Sequence, residues 1–345
     1  MMVGKRFCYA VLLFSPATAL TLRSASNNVT ATDHKQHPTF QSFYHDYKSG
    51  PGIWKWSNAL DAYQHHFGGL AGKSRLAVAE VGVQSGGSIG MWKSVLGPGV
   101  HFYGLDINKA CLKFQNSTTT IFMGDQADDK VWDRFYSNVS MVDILVDDGG
   151  HEAHQMSVTF RRSFDHLNPG GFVATEDVFR KDQWPFLYDT TKSIDLWKDQ
   201  VESVHMYPGS FLLQKKPAHN DFIASLPSSS GVVDSWEAMW AAIQLHPGTT
   251  VTVKNKLWGS LFTEANMHSI VQEFVHLYEA GGQTDDPPGC AFTPAPVCTA
   301  TVVNSAQMNS ITGVHVYQDA LYVEAAAKAP IISAVRKGDT WIPYR

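Results

Sequence analysis

The sequence predicts an α/β protein in which an N-terminal helical extension precedes a doubly wound, mostly parallel sheet. Short apolar strands alternate with segments of helix length between residues 77 and 176. A glycine-rich turn joins the first of these strands directly to a helix, and acidic residues stand at the ends of several strands. This alternation is typical of parallel sheets, because parallel neighbours need a crossover of a dozen or more residues.

Each element is predicted from its apolar pattern. Apolar residues at helical spacing over 54–67 predict a packing helix ahead of the sheet. The alternating elements are strands at 77–83, 101–106, 120–123, 142–147 and 172–176, and helices at 88–96, 130–136 and 154–167. Beyond residue 177 the sequence favours helices at 195–206 and 262–280, an extended segment at 250–254, a loop at 281–300 and an antiparallel edge strand at 314–323.

Length and charge favour one elaborated domain. The chain has 345 residues, of which 44% are hydrophobic, and a formal net charge of −5. Because no basic stripe appears, nucleic acid is not an expected partner. We expect a flexible leader at 20–50, one domain at 51–330 with insertions at 178–310, and a tail at 331–345.

The first 19 residues are predicted to be a secretory signal. Lys5 and Arg6 precede a short apolar run at 7–14 and a small-residue cleavage site at 17–19. The run is too short to span a membrane, and the alternative interpretation is a buried first strand or helix. A secreted or lumenal protein is therefore expected, with a plastid reached through the secretory route as the alternative.

Sequons and cysteines agree with that location. Glycosylation sequons begin at Asn28, Asn116 and Asn138, in stretches that favour surface loops. Cys290 and Cys298 bracket a proline-rich loop and are candidates for a disulfide, which would leave Cys111 single. If the signal interpretation is wrong, all three are free thiols.

The glycine-rich turn is the first candidate ligand site. Glu80, Gly82, Gly86 and Ser88 cover the end of the first strand and the start of a helix. Glycines there allow a tight turn and a close approach to a ligand, and the helix N-terminus offers free N–H groups. The spacing differs from the G-x-G-x-x-G of nicotinamide-binding folds, and a purely structural turn is the alternative.

Two later strand ends extend this candidate site. Asp106 follows the second strand, about 20 residues after the glycine turn, where an acid can accept both ribose hydroxyls of a nucleoside. Asp125 and Gln126 follow the third strand, where they could meet an adenine. A helix cap at Asp106 and an ordinary turn at 124–126 are the alternatives. The three positions together favour a nucleoside cofactor.

Acidic residues at the next two strand ends predict a metal site. Asp147 and Asp148 end one strand with His151 shortly after, and Glu176 and Asp177 end the next. Because the two strands are joined by one crossover, the clusters should lie side by side at the ligand-binding edge of the sheet. Packed carboxylates need a cation, and hard oxygen ligands suit a magnesium-like ion.

At this point the chain resembles a known family. Its motifs are similar to those of class I S-adenosylmethionine-dependent methyltransferases, specifically the macrolide sugar O-methyltransferases of the mycinamicin and tylosin type and their cephalosporin hydroxylase-like relatives. The resemblance runs from 52–56 to 176–177. The matching segments within it are 80–88, 104–107, 124–126, 147–151, 169–171 and 176–177, and 314–317 resembles the family's final strand. The resemblance implies a Rossmann-like, seven-stranded sheet.

The resemblance also implies roles for individual residues. Asp148, Glu176 and Asp177 match carboxylates that hold Mg²⁺, and His151 matches the proposed general base. The residues implied to bind S-adenosylmethionine are Glu80, Gly82, Gly86, Ser88, Asp106, Asp125, Gln126 and Asp147. The central position of the first motif departs from methyltransferases in general, because Gln84 stands where glycine is common.

The implied activity is metal-dependent O-methylation of a hydroxyl on a sugar or glycoside. The aromatics Trp184, Phe186, Tyr207 and Trp258 would serve the acceptor pocket or the core. One alternative is a metal-dependent oxygenase, for which His154 would have to join His151. Another is a non-catalytic glycan-binding module on the same fold. No membrane span is expected, and a homo-oligomer is compatible with the sequence.

Overall fold

We describe the protein from a computed structural model. The structure describes residues 37–218, 231–235, 238–239, 241–242, 248, 250–253, 260–279, 283–285, 299–303, 311–318, 320–325 and 332–342. The signal segment, the first sequon, Trp258, Cys290 and Cys298 lie outside these residues. No helix in the described part of the chain is long and apolar enough to cross a membrane.

Seven helices and two sheets are described. The helices are α1 (Phe40–Asp46), α2 (Ser57–Phe67), α3 (Gly87–Leu96), α4 (Asp129–Asn138), α5 (Ala153–Ser163), α6 (Trp184–Trp197) and α7 (Glu264–Glu279). The first seven strands are β1 (Leu76–Val81), β2 (Val100–Asp106), β3 (Thr119–Met123), β4 (Val142–Asp147), β5 (Leu167–Val178), β6 (Val201–Tyr207) and β7 (Gly209–Lys215). The other strands are β8 (Gly231–Val233), β9 (Thr250–Val253), β10 (Gln283–Asp285), β11 (Thr299–Val303), β12 (Ile311–Tyr317), β13 (Leu321–Ala325) and β14 (Ile332–Val335).

The first seven strands form the doubly wound sheet that the sequence predicts. Their order is β3-β2-β1-β4-β5-β7-β6, in which β1 to β5 run parallel and β7 is antiparallel to both of its neighbours. The chain order reverses between β1 and β4, which pair over residues 78–81 and 144–147. Ligands of open α/β sheets bind at such a switch point. The fold therefore predicts a ligand site at the carboxyl ends of β1 and β4.

Both faces of the sheet are covered by helices. Along β4, Ile144 and Val146 pack in the core that includes helices α1 to α3, whereas Leu145 packs in the core that includes α4 to α7. Successive residues of a strand point to opposite faces, so a continuous apolar run is needed when both faces are buried. The helical extension at α1 and α2 is therefore part of the core, and Phe40 in α1 is fully buried.

The sheet continues beyond the seven strands. β12, β13, β9 and β8 follow β6 in that order and bring the sheet to eleven strands, while β10, β11 and β14 form a separate sheet. The segment that resembles the family's final strand is β12, but the seventh strand of the expected sheet is β7. The predicted edge strand at 314–323 is instead a hairpin, β12 and β13, inside the sheet.

Three boundary predictions differ from the structure. The predicted helix at 195–206 is wrong, because α6 ends at Trp197 and β6 begins at Val201. Part of the expected leader forms α1. The expected tail is paired with the chain ahead of the sheet, through bridges from 51, 53 and 56 to 340, 337 and 334. Apolar residues at 332, 334 and 342 are buried there, which explains why the segment is ordered.

Candidate active site

Three residues at the carboxyl ends of β1, β4 and β5 have unusual backbone conformations. Gln84 follows β1, His151 follows β4 and Asp177 lies at the end of β5, and their φ values are 47°, 57° and 61°. They are the non-glycine residues with positive φ in the described part of the chain. Such conformations cost about 1–3 kcal/mol each and collect at functional sites. The strained backbone therefore coincides with the edge at which the sequence places its acidic residues.

Gly82 brings the loops after β1 and β4 into direct contact. It has a φ of 86°, and a Cβ at this position would lie 1.9 Å from the carbonyl oxygen of Asp148. The backbone N–H of Asp148 donates to the oxygen of Val81 at 3.0 Å. Only a residue without a side chain permits this approach. The glycine turn and the acidic loop are therefore one structure.

A buried lysine stands at the centre of the carboxylates. Lys55 Nζ lies 3.0 Å from Glu80 Oε1, 2.6 Å from Asp148 Oδ2 and 2.7 Å from Glu176 Oε1, and its side chain is 1% exposed. Tyr63 Oη also donates to Glu176 Oε1. One ammonium faces three carboxylates, so the ionised cluster keeps an excess of negative charge. That excess attracts a further cation to the open side of the cluster.

Burial and charge shift the titration of this cluster. Burial alone would lower the pKa of Lys55, but the attraction of Asp148, Glu176 and Glu80 raises that pKa well above its ordinary value. Burial raises the pKa of Asp148 well above its ordinary range, while Lys55 opposes the rise and Glu176 and Asp177 add to it. Burial also raises the pKa of Glu176 against the effect of Lys55. A cation beside Asp148 would favour its charged form.

The accessible part of the cluster is formed by Asp148, His151 and Asp177. His151 Nε2 lies 3.5 Å from Asp177 Oδ2 and 3.9 Å from Asp148 Oδ1, and the three side chains are 28%, 25% and 19% exposed in the order His151, Asp177, Asp148. One ligand atom from each lies within 4.8 Å of the other two. Trp56 Nε1 donates to Asp177 Oδ1 at 2.5 Å and orients that carboxylate.

These residues fit a magnesium-like ion. Asp148 and Asp177 supply hard oxygen atoms at the opening of an acidic cluster, as such an ion requires. His151 Nδ1 is buried and has no hydrogen-bond partner among the described residues, whereas His151 Nε2 faces the carboxylates of Asp148 and Asp177. The ligand set implied by the resemblance differs at one position. Glu176 Oε1 faces Lys55 and Tyr63 in the interior, and Glu176 is outside the accessible group.

Gln126 and Asp147 support the acidic loop rather than face an opening. Gln126 Nε2 donates to both Asp147 oxygens at 2.9 and 3.0 Å, and its Oε1 accepts from the Gly150 N–H at 2.8 Å. Asp147 Oδ1 also accepts from the Gly149 N–H at 3.2 Å. Both side chains are buried, and burial raises the pKa of Asp147. Their amide and carboxylate hold the chain that carries Asp148 and His151.

Asp106 joins the ends of β1 and β2. Its Oδ2 accepts from the Gln84 N–H at 2.8 Å and its Oδ1 accepts from the Asn108 N–H at 2.7 Å. The carboxylate is half-buried beside the glycine turn, at the place expected for a ribose-binding acid. Asp125 lies further out, where it is exposed and accepts from the Ala127 N–H at 2.9 Å.

Other implied cofactor residues have interior positions. Glu80 is buried between Lys55 and Trp92, whose Nε1 donates to its Oε2 at 3.2 Å. Ser88 is buried in the first turn of α3. Gly86 is the N-cap of that helix and has a φ of 84°, and a Cβ there would lie 2.5 Å from the ring of Phe114. These residues shape the turn from within.

Comparison with known proteins adds a family context. No family model matches the chain. It is 28% identical over 170 residues to an 8-demethyl-8-α-L-rhamnosyl tetracenomycin-C 2'-O-methyltransferase of Streptomyces olivaceus, covering 46% of this chain and 44% of that protein. It is 34% identical over 130 residues to the mycinamicin VI 2''-O-methyltransferase of Micromonospora griseorubida, covering 36% and 32%. The chain is similar to sugar O-methyltransferases.

The similarity is partial in length. The chain spans less than half of each of these two relatives. Among solved structures it overlaps the MycE methyltransferase from the mycinamycin biosynthetic pathway in complex with Mg, SAH and mycinamycin VI, with 24% identity and a TM-score of 0.41 over 48% of this chain and 52% of that one. The predicted resemblance to sugar O-methyltransferases is confirmed by the curated relatives.

Sequence reasoning missed Lys55, Tyr63 and Trp56. All three precede the sheet, and Lys55 is 93 residues before Asp148 and 121 before Glu176. The sequence does contain an indication of this role, because Lys55 is flanked by two tryptophans in an apolar segment. A charged residue in such a segment must be either exposed or paired with an opposite charge. The described aromatic residues that were candidates for the acceptor pocket belong to the core instead. Phe186 and Tyr207 are buried in the core, and Trp184 packs against its edge.

Proposed function

We propose that this protein is a metal-dependent O-methyltransferase that moves a methyl group from S-adenosylmethionine to a hydroxyl of a sugar or glycoside. The observation that carries the proposal is the contact between Gly82 and Asp148, which joins the glycine turn to the accessible Asp148, His151 and Asp177 group. The similarity to O-methyltransferases that are named for rhamnosyl and mycinamicin acceptors supports the choice of reaction and acceptor.

The donor side of the site is the turn over 82–88 together with Asp106. S-adenosylmethionine supplies a methyl group on a positively charged sulfur. The glycine backbone permits close approach of the donor, and the Asp106 carboxylate accepts hydrogen bonds from its ribose hydroxyls. Because the N–H groups of Gln84 and Asn108 already hold this carboxylate, its orientation is set before the donor binds.

The acceptor side is the group of Asp148, His151 and Asp177. Mg²⁺ in this group would lower the pKa of a coordinated hydroxyl. Asp148 and Asp177 would hold the ion, and Lys55 donates to Asp148 Oδ2 and so fixes that carboxylate. His151 Nε2 takes the proton from the acceptor hydroxyl, and Trp56 keeps Asp177 in place.

The alternative functions have less support. An iron oxygenase of the facial-triad type needs two histidines and one carboxylate. The accessible group holds one histidine and two carboxylates, and His154 is an exposed residue of α5. A purely glycan-binding module would not need a strained, acidic and metal-compatible loop beside the glycine turn.

Calorimetric titration with S-adenosylmethionine, with and without MgCl₂, tests the donor site. We expect binding in both conditions. In a separate turnover assay with a rhamnosyl or other deoxysugar glycoside as acceptor, we expect S-adenosylmethionine to be converted to S-adenosylhomocysteine only when Mg²⁺ is present. A folded protein that shows no affinity for the donor would contradict the methyltransferase assignment. Methyl transfer that continues undiminished in EDTA would contradict the metal dependence.

We also propose a secretory location, which rests on the sequence of residues 1–19. The Asn116 side chain is exposed in a turn, and Asn138 is exposed at the last residue of α4 rather than in the predicted loop. Both sequons are therefore accessible to modification. N-terminal sequencing and glycosidase treatment of natively expressed protein test this proposal. A mature chain that retains Met1 and carries no glycan would contradict it.

A further inference from the structure

A second cluster of metal-binding side chains lies away from the acidic loop. His66 in α2, His205 in β6 and His315 in β12 are 7%, 2% and 1% exposed. His205 and His315 are directly opposite each other in the antiparallel pair of β6 and β12. Each of the three histidines offers one ring nitrogen within 4.8 Å of the other two.

The outward-facing nitrogens of the paired histidines have different surroundings. His205 Nε2 lies 2.8 Å from Ser203 Oγ, and that hydroxyl lies 3.3 Å from Gln214 Oε1, to which it donates. A hydroxyl has one proton, so Ser203 accepts from His205 Nε2–H. His315 Nε2 lies 3.4 Å from Glu324 Oε2. This contact lacks hydrogen-bond geometry, and His315 Nε2 is buried without a hydrogen-bond partner among the described residues. The nearby carboxylate favours a proton on that nitrogen.

The inward-facing nitrogens of the same two histidines are in contact. When both histidines are neutral and carry their protons on Nε2, both Nδ1 atoms carry lone pairs, and these atoms are 2.8 Å apart. A proton on His315 Nδ1 would instead join the two rings by a hydrogen bond. Two acceptors at hydrogen-bond distance repel each other unless a proton or a metal ion lies with them. An outer nitrogen bonded to a carboxylate or hydroxyl and an inner nitrogen free to coordinate is the usual arrangement around metal-bound histidine.

His66 supplies the third side of the cluster. Its ring centroid is 4.2 Å from that of His205, and Tyr207 Oη holds its Nε2 at 2.8 Å. Glu324 is 31% exposed, and His65, the neighbour of His66, is exposed as well. An ion could therefore enter from the Glu324 side. Three imidazoles with no thiolate suit Zn²⁺ or Co²⁺, whereas Mg²⁺ prefers oxygen.

We propose that His66, His205 and His315 form a binding site for a Zn²⁺-type divalent ion, independent of the acidic loop. The ion would connect α2, β6 and β12, and so hold the additional strands of the sheet to its first seven. This role is structural and does not depend on the proposed methyltransferase activity.

Co²⁺ titration of chelator-treated, full-length protein in excess MgCl₂ tests the site. Mg²⁺ occupies oxygen ligands, and Co²⁺ bound by imidazoles gives visible d–d absorption that Mg²⁺ lacks. We expect one equivalent of Co²⁺ to bind, Zn²⁺ to displace it, and X-ray absorption of the zinc form to show imidazole ligands. Absence of binding to the wild-type protein would mean that a shared proton joins the histidines, and it would overturn the proposal.

Variants separate the two candidate metal sites. His205→Gln and His315→Gln should each weaken Zn²⁺ binding by about 100-fold or more, because even groups behind the ligands change affinity by 10- to 100-fold. His45→Gln, at an exposed residue of α1, is the control outside the cluster, and Asp177→Asn is the control for the acidic loop. Both controls should bind Zn²⁺ as the wild type does. Loss of binding in Asp177→Asn with retention in the two histidine variants would overturn the proposal.

Discussion

At the scale of the residue, the charge on Lys55 decides the state of the carboxylates around it. Its ammonium contacts acids from β1, from the loop after β4 and from β5, and the Lys55 side chain is almost entirely shielded from solvent. Removing one partner of a buried ionic group leaves the others unpaired, which costs more than the pair itself contributes. Lys55 therefore links the stability of the fold to the geometry of the candidate site.

We expect Lys55→Met to lower the free energy of unfolding by about 3–5 kcal/mol, because three buried carboxylates lose their cation. Urea unfolding followed by circular dichroism measures the change. Lys48→Met is the control, because Lys48 is exposed, and it should stay within about 0.5 kcal/mol of the wild type. Equal stability of the two variants would contradict the charge assignment.

Substitution of His151 should remove the general base, whereas substitution of Asp177 should remove a ligand of Mg²⁺. Asparagine tolerates positive φ, so His151→Asn and Asp177→Asn both keep the backbone of the site. We expect His151→Asn to lower methyl transfer by about 10²- to 10⁴-fold with the donor still bound, as for loss of a general base. Asp177→Asn should weaken Mg²⁺ binding and turnover together. Calorimetry and turnover assays on both variants make the comparison.

Cys111 provides a test of titration beside the donor site. Burial, together with nearby Asp106, raises the pKa of its thiol from 9.0 to about 12, and its Sγ lies 3.3 Å from the Gln84 carbonyl oxygen. We expect the Cys111 peptide to resist alkylation at pH 8 in the folded protein and to react in urea, as measured by mass spectrometry. Fast labelling of folded protein would show that the thiol is accessible.

The sign of the Cys111 effect on stability follows from linkage. Above about pH 9 the unfolded chain loses a proton that the folded chain keeps until about pH 12, so stability falls as pH rises through this window. Cys111→Ala removes this contribution. The wild type should therefore lose more stability than the variant between pH 8 and pH 11, measured as the difference in unfolding free energy at each pH.

At the scale of the element, the turn after β1 depends on the absence of one side chain. Gly82 must accept a φ of 86° and the carbonyl oxygen of Asp148 at the same time. Gly90, in the exposed part of α3, meets nothing closer than 3.9 Å from its would-be Cβ. The same substitution should therefore have opposite effects at the two positions.

We expect Gly82→Ala to destabilise the protein by at least about 1–3 kcal/mol, because the backbone is strained and the loops must separate. Gly90→Ala should stabilise it by about 0.5–1 kcal/mol, because alanine favours the helix interior. Thermal and urea unfolding of both variants give the comparison. Destabilisation by both, to the same extent, would show that contact between the two loops is not the cause.

At the scale of the whole molecule, the two ends of the described chain are held together. Residues 51, 53 and 56 bridge to 340, 337 and 334, and Tyr44 Oη donates to the Val335 oxygen. Ile332 and Ala334 pack with Trp56 and Ala59. The bridges at residues 53 and 56 lie on either side of Lys55. The segment 334–340 therefore helps to hold Lys55 in the candidate site.

We expect a chain that ends at residue 330 to lose at least about 3 kcal/mol of stability, since truncating even one buried isoleucine to alanine costs about 2–5 kcal/mol. A chain that ends at residue 342 keeps every contact named above and should unfold as the full chain does. Urea midpoints of the three chains decide the matter. Identical midpoints would mean that 331–342 is a tail after all.

The alternation of short apolar strands and helices determined the parallel sheet, its edge and the acidic loops on it. Those features depend on residues close together in sequence, where periodicity and turn chemistry act. Only the tertiary structure placed Lys55 among Glu80, Asp148 and Glu176, turned Glu176 inward, and brought together histidines 66, 205 and 315. It also decided that β7 rather than β12 completes the first seven strands. Such contacts join residues up to hundreds of positions apart, and no local pattern records which distant strands and loops will pair.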